Sequence, residues 1–223
     1  MNLEGQVALV TAAGRGIGRG IAESLAQAGA SLVINSYSEE TVNETARRCK
    51  ALGAEVSICV GDITDRDKMI EMRDQAVERF GKIDILVNNV GAGPKDAIAP
   101  DDHELGPSQA IWDALYGQNL LPVVLMSEAV IPHMRANQSG KIIHISSIAG
   151  KAPFSDKMLE YFVHHSYGAM KAALISLTQT QSELLGPFNI NVNAICPGVI
   201  YTDSWQQNSE KAVKFIEEFK GQD

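Results

Sequence analysis

At 223 residues and 24.0 kDa, with 45% hydrophobic and 21% charged residues, the chain is long enough for one sizeable α/β core and is not a disordered polypeptide. A net charge of −8 argues against nucleic acid as the main partner, because phosphate binding draws on a surplus of Lys and Arg. Cys49, Cys59 and Cys196 are odd in number and form no Cys-x-x-Cys pair, which excludes a disulfide framework or zinc site and suggests free thiols in a reducing cytoplasm; no metal and no membrane span are expected.

Short runs rich in Val, Ile and Leu alternate with longer amphipathic stretches, the βαβα pattern of a parallel sheet with helices on both faces. The pattern predicts a doubly wound α/β fold with strands over Gln6–Thr11, Ser31–Asn35, Glu55–Val60, Ile83–Asn88, Gly140–Ser146 and Asn189–Ile195. No internal repeat, low-complexity tract or Pro/Ser-rich linker divides the chain, so residues 1–223 are read as a single domain.

The first strand runs into Thr11-Ala12-Ala13-Gly14-Arg15-Gly16-Ile17-Gly18. Glycines there permit a tight turn and close backbone approach to a pyrophosphate, which the following helix N-terminus then faces. The stretch is not Gly-x-Gly-x-x-Gly, since Arg19 stands where the third glycine would fall. The second strand leads into Asn35-Ser36-Tyr37-Ser38, where dinucleotide folds carry an acid for the adenosine ribose. No carboxylate stands there to repel a 2′-phosphate, and Arg15 offers one a planar fork, so NADP(H) is preferred over NAD(H).

Asp62, in Gly61-Asp62-Ile63, reads on its own as a turn or capping aspartate. Asn88-Asn89-Val90-Gly91 closes the fourth strand, on the side of such sheets where ligands lie. In Tyr167-Gly168-Ala169-Met170-Lys171 the i, i+4 spacing puts phenol and ammonium on one helix face. A cation so placed favours the phenolate and is expected to lower the tyrosine pKa toward a useful acid/base range.

Taken in order, these stretches resemble the motifs of the short-chain dehydrogenase/reductase family, in particular its 3-oxoacyl-carrier-protein-reductase-like branch, over nearly the whole chain. Thr11–Gly18 resembles the family's Thr-Gly-x-x-x-Gly-x-Gly, with Ala12 in place of the first glycine. Asn88–Gly91 resembles Asn-Asn-Ala-Gly with Val90 replacing alanine, and Asn193–Thr202 resembles the Pro-Gly segment and its threonine. The resemblance implies a Rossmann-type fold that interconverts a ketone and a secondary alcohol by hydride transfer. It implies nucleotide contacts at Thr11, Gly14, Arg15, Gly16, Ile17, Gly18, Ser36, Asp62, Ile63, Asn89, Gly91, Pro197, Gly198, Ile200 and Thr202, beside Tyr167 and Lys171.

Catalysis is implied at Tyr167 as acid/base, with Lys171, at Ser147 as the donor to the substrate carbonyl, and at Asn119 as holder of a relay water. Ser146 is the alternative to Ser147, and a helix kink or buried backbone contact is the other reason for Asn119. The family likeness also implies a small carbonyl or alcohol substrate and a homo-oligomer, tetramer or dimer, built on helices near Ile111–Arg135 and Tyr167–Leu185.

Ser147 and Tyr167 are farther apart than is usual in the family, which suggests substrate-side insertions over residues 156–165 and, before Asn119, over 93–107. Beyond Thr202 only Glu210–Lys220 reads as a helix, so the C-terminal part is expected to be short. A non-catalytic dinucleotide-binding regulatory or assembly subunit is the alternative from another class. An NAD-linked alcohol dehydrogenase working oxidatively shares every residue.

Overall fold

The computed structural model describes residues 2–91, 108–152, 165–198 and 200–202; the expected insertions, His165's backbone apart, and the 210–220 helix lie outside them. Six strands form one parallel sheet: β1 Val7–Val10, β2 Ser31–Ser36, β3 Val56–Val60, β4 Ile85–Asn88, β5 Gly140–Ile145 and β6 Ile190–Ile195. The order β3-β2-β1-β4-β5-β6 is doubly wound, and it reverses between β1 and β4, where such sheets open a crevice beyond the strand ends. The helices are α1 Gly16–Gln27, α2 Glu39–Ala51, α3 Arg66–Phe80, α4 Gln109–Asn119, α5 Leu121–Ala136 and α6 His165–Leu185.

Period-2 alternation sorts the strand side chains into two cores. Ala8, Val10, Leu32, Ile34, Ile85 and Val87 pack with Ala22 and Ala26 of α1 and Val42 and Ala46 of α2. Val7, Leu9, Val33, Leu86, Ile142 and Val192 pack on the opposite face with Met69 and Met72 of α3, Met126, Val130 and Met134 of α5, and Leu185 of α6. All six predicted strands are present, with ends displaced by one or two residues. Asn189 leaves β6 because it sits at φ 56 in the left-handed region. Asp84 leaves β4 because its carboxylate accepts the Val7 N–H at 2.8 Å.

Helix starts are chemically marked. Ser38 caps α2 by accepting from the Thr41 N–H, with Glu39 and Glu40 in the first turn, and Asp65 caps α3 by accepting from the Asp67 N–H. α1 has no side-chain cap at all. One departure concerns apolar length: the stretch Gln109–Ala136 is long and apolar enough to cross a membrane, with a mean hydropathy of 1.3 over one window. Its helix changes at Leu120, and Val123, Met126, Val130 and Met134 are spent on the core, which accounts for that apolar character.

Candidate active site

The turn after β1 is held open by bonds that leave its helix end unspent. Arg15 is the extended N-cap residue of α1 and its side chain caps nothing, so the first-turn N–H groups carry no side-chain cap, as an anion site needs. Gly14 touches β2's end so closely that a Cβ would collide with Thr41 and Ser36, and one on Gly18 would collide with the Ala12 carbonyl and Asn89. Gly16 lies at φ 54 with Thr202 beside it, 3.5 Å from where a Cβ would stand. Arg19 is committed, donating to the Gly14 carbonyl and to Thr45 Oγ1, whereas Arg15 is exposed and makes no ion pair among the described residues. An open cleft of about 760 Å³ runs from Gly16 and Ile17 along Gly20 and Ser24 of α1 to Pro197 and Thr202. Its α1 wall presents Gly16, Gly20 and Ser24 at helical spacing.

Three expected contacts have side chains turned inward. Thr11 is fully buried, and its hydroxyl accepts from the Asn89 and Val90 N–H groups, joining β1 to β4. Ser36 is buried against Thr41 Oγ1 and accepts from the Ser38 N–H. Ile63 belongs to the core. Asp62 is exposed and forms a turn, its Oδ1 accepting from both N–H and hydroxyl of Thr64. Asn35 ties three strand ends together, donating to the Cys59 and Gly61 carbonyls and accepting from the Ala12 N–H. Asn89 donates to the Thr11 and Ala12 carbonyls, and this brace holds Ala12 at φ 51, a conformation that favours the glycine it replaces.

The two serines after β5 have different tasks. Ser146 is buried and donates its hydroxyl to the Lys171 carbonyl at 2.7 Å, so its one proton is committed within the protein. Ser147 caps the 3-10 turn Ile148–Gly150 by accepting from the Ala149 N–H, and its side chain lies close enough to the Tyr167 phenol to act on its titration. Lys171 is 3% exposed, donates from Nζ to the Ile145 carbonyl at 3.1 Å, and stands 5.6 Å from the Tyr167 ring centre. Asn119 is fully buried at the end of α4; its Nδ2 donates to the Leu115 carbonyl, so the expected backbone contact is present. At Gly91, φ 148, a Cβ would stand 2.7 Å from Lys171 Nζ and 2.8 Å from Asn119 Oδ1. Pro197 accepts from the Ile148 N–H, setting β6's exit against the Ser147 turn, with Gly198 next to the Ile148 side chain. Ile200 is half exposed at the cleft.

The charge state differs from the expectation. Burial dominates at Tyr167, raising its pKa above the usual phenol value while the neighbouring Ser147 side chain opposes the rise; burial lowers Lys171 to about 8. Spacing alone suggested that the cation would lower the phenol. The buried position of each group sets the direction instead.

Residues 6–213 match the family model of the short chain dehydrogenases. The chain belongs to the short-chain dehydrogenase family. It is 33% identical over 212 residues to the 3-oxoacyl-[acyl-carrier-protein] reductase of Thermotoga maritima, covering 95% of this chain and 81% of that one. It is 35% identical over 205 residues to the 7alpha-hydroxysteroid dehydrogenase of Escherichia coli K12, covering 92% and 74%.

Among solved structures, a 7 alpha-hydroxysteroid dehydrogenase complexed with NADH and 7-oxo glycochenodeoxycholic acid superposes with a TM-score of 0.80 at 34% identity, covering 92% and 75%. An NAD+-bound xylitol dehydrogenase gives 0.83 at 30%, covering 94% and 76%. This short-chain dehydrogenase is thus a hydride-transfer oxidoreductase of the ketone and alcohol type, using NAD(H) or NADP(H). Nothing in the comparisons supports a non-catalytic subunit. The uncapped α1 N-terminus and the glycines that admit no Cβ fit a dinucleotide pyrophosphate.

Proposed function

We propose that this enzyme reduces a ketone with NADPH, with Tyr167 giving the proton. The observation that supports this reading most is the meeting of Ser147, from the end of β5, with Tyr167, from α6, while Lys171 stands behind the phenol ring. When bound, the reduced nicotinamide supplies hydride to the carbonyl carbon. Ser147 donates to the carbonyl oxygen and stabilises the negative charge that develops there. Tyr167, kept protonated by burial, transfers its Oη proton to that oxygen. Lys171, with a pKa of about 8, is mostly charged at neutral pH and stabilises the tyrosinate left behind. Asn119, across Gly91 from Lys171, holds the water through which the proton on Tyr167 Oη is replaced.

Arg15 is the proposed partner of a 2′-phosphate, because β2 ends in Ser36 and the first carboxylates, Glu39 and Glu40, follow only in α2. The substrate is a small ketone or alcohol, and a homo-oligomer is proposed through α4, α5 and α6, the last exposing Ala169, Ala172 and Ser176. The free thiols of Cys49 and Cys59, pushed up to about 11 by burial, suit a reducing compartment such as the cytoplasm. The test is Tyr167→Phe, assayed with NADPH or NADH against a 3-oxoacyl thioester and an oxosteroid. Nucleotide binding is expected to persist while turnover falls by orders of magnitude; near-normal turnover sinks the assignment.

A further inference from the structure

The buried hydroxyl of Ser146 has one proton, and it is committed to the carbonyl of the lysine on the neighbouring helix. Its backbone N–H is fixed in the other direction, donating to the Ile195 carbonyl of β6 at 2.8 Å. Lys171 returns the contact, since its Nζ donates to the carbonyl of Ile145, the residue before Ser146. Two bonds of opposite sense therefore tie the end of β5 to a single residue of α6.

Around this tie the backbones are nearly in contact. A Cβ on Gly150 would fall 2.6 Å from the Lys171 carbonyl carbon and 2.7 Å from the Ala172 nitrogen, and one on Gly168 would fall 2.9 Å from the Ala149 oxygen. The 3-10 turn that carries Ser147 thus lies directly on the turn of α6 that carries Tyr167. The two groups come from elements with no covalent reason to share a register.

We propose that Ser146 is a positioning residue of the reaction: through its bond to the Lys171 carbonyl it sets the register of α6 against β5, and so the approach of Ser147 to Tyr167. This rests on the catalytic reading of Ser147, Tyr167 and Lys171. Ser146 touches no reacting atom and acts only through α6.

Ser146→Ala removes the bond and leaves no orphaned acceptor, because a helical carbonyl retains its own partner one turn on. With a reacting pair moved by a fraction of an ångström to an ångström, kcat is expected to fall roughly ten- to a hundredfold while nucleotide Kd and substrate KM stay near wild type. A second readout needs no substrate. Ultraviolet difference titration, taken as the variant minus the same variant carrying Tyr167→Phe, follows the Tyr167 phenol. Its pKa is expected to rise further in Ser146→Ala as the opposing Ser147 side chain moves away, and to return toward wild type in Ser146→Thr, which keeps the hydroxyl.

Thermal midpoint and NADPH binding are measured on each variant. An unmoved Tyr167 titration and unchanged kcat in a folded Ser146→Ala overturn the proposal. So does a loss of kcat that merely tracks lost nucleotide binding, since that marks a structural role alone. Tyr167→Phe run in parallel separates the two readings: if it retains turnover, both fall; if it is inactive while Ser146→Ala is normal in both readouts, only the positioning role falls.

Discussion

The Lys171 ammonium and the Asn119 amide oxygen converge on one point, the bare Cα of Gly91, where a Cβ would come within 2.7 Å of the first and 2.8 Å of the second. Gly91→Ala drives a methyl between them from a residue already at φ 148, where a side chain adds strain on the order of 1–3 kcal/mol. Turnover is expected to fall roughly a hundredfold, because Lys171 and Asn119, the proposed relay groups, are displaced together. The thermal midpoint should fall as well. Steady-state kinetics beside calorimetry checks both, and a lower midpoint with unchanged kcat removes the relay reading of this glycine.

Lys171 carries its charge at a cost. Its pKa of about 8 against an ordinary 10.5 corresponds to about 3 kcal/mol of disfavour for the buried ammonium at neutral pH. The sign follows from linkage: between the folded and unfolded values the unfolded chain holds the extra proton, so this contribution improves as pH rises from about 8 toward 10.5. Lys171→Met is therefore expected to raise the thermal midpoint at pH 7 by a few degrees while abolishing turnover. A clearly lowered midpoint at pH 7 counts against burial as the dominant effect.

Apolar runs such as Leu32–Ile34 of β2 made the strands readable because strands buried on both faces need little else; Val7–Val10 and Ile85–Val87 are read the same way. Side-chain direction was less legible. Ser146 and Ser147 are chemically identical, and only the packing of α6 against β5 decides which hydroxyl turns inward. The pKa directions of Tyr167 and Lys171 were equally hidden, since spacing reveals their proximity while burial depends on elements far along the chain. One overlooked signal was present: His144 interrupts an apolar strand and lies in register with Asn88.

That histidine crosses the core. Asn88 Nδ2 donates to Ser127 Oγ and faces His144 Nδ1 at 3.2 Å, while His144 Nε2 meets Gln181 Oε1 at 2.9 Å. With Nδ1 accepting from the amide, the imidazole proton sits on Nε2, the neutral form that burial favours by lowering the pKa below 6.5. Stability from this brace is full above the unfolded value of 6.5 and declines as pH falls toward the lowered folded value, because the unfolded chain takes up the proton first. Denaturation between pH 7 and pH 5 should show this slope, and His144→Leu should flatten it while costing about 1–3 kcal/mol at pH 7 for the partners it strands. An equal slope in the variant assigns the acid sensitivity elsewhere.

The proposed 2′-phosphate contact of Arg15 makes a prediction about cofactor choice. An exposed guanidinium in a turn whose neighbouring strand ends without a carboxylate gains most from a 2′-phosphate. Fluorescence titration with NADPH and NADH is expected to show Arg15→Ala losing NADPH affinity by roughly ten- to a hundredfold, with NADH nearly unaffected. Equal losses for the two nucleotides make Arg15 a general phosphate contact. A wild-type preference for NADH agrees instead with the NADH- and NAD+-bound structural neighbours and reverses the assignment.

Ala12 is the clearest local conflict in the nucleotide turn. At φ 51 its methyl meets the steric penalty of the left-handed region, on the order of 1–2 kcal/mol, yet Asn35 and Asn89 hold its N–H and carbonyl in place. Ala12→Gly relieves the penalty and gives back roughly 0.5–1 kcal/mol through the greater freedom of the unfolded chain. The net expectation is a gain of up to about 1 kcal/mol in denaturant unfolding, with nucleotide affinity unchanged because the backbone path is already the one a glycine would take. A loss of stability implies that the Ala12 methyl makes packing contacts worth more than the strain it carries.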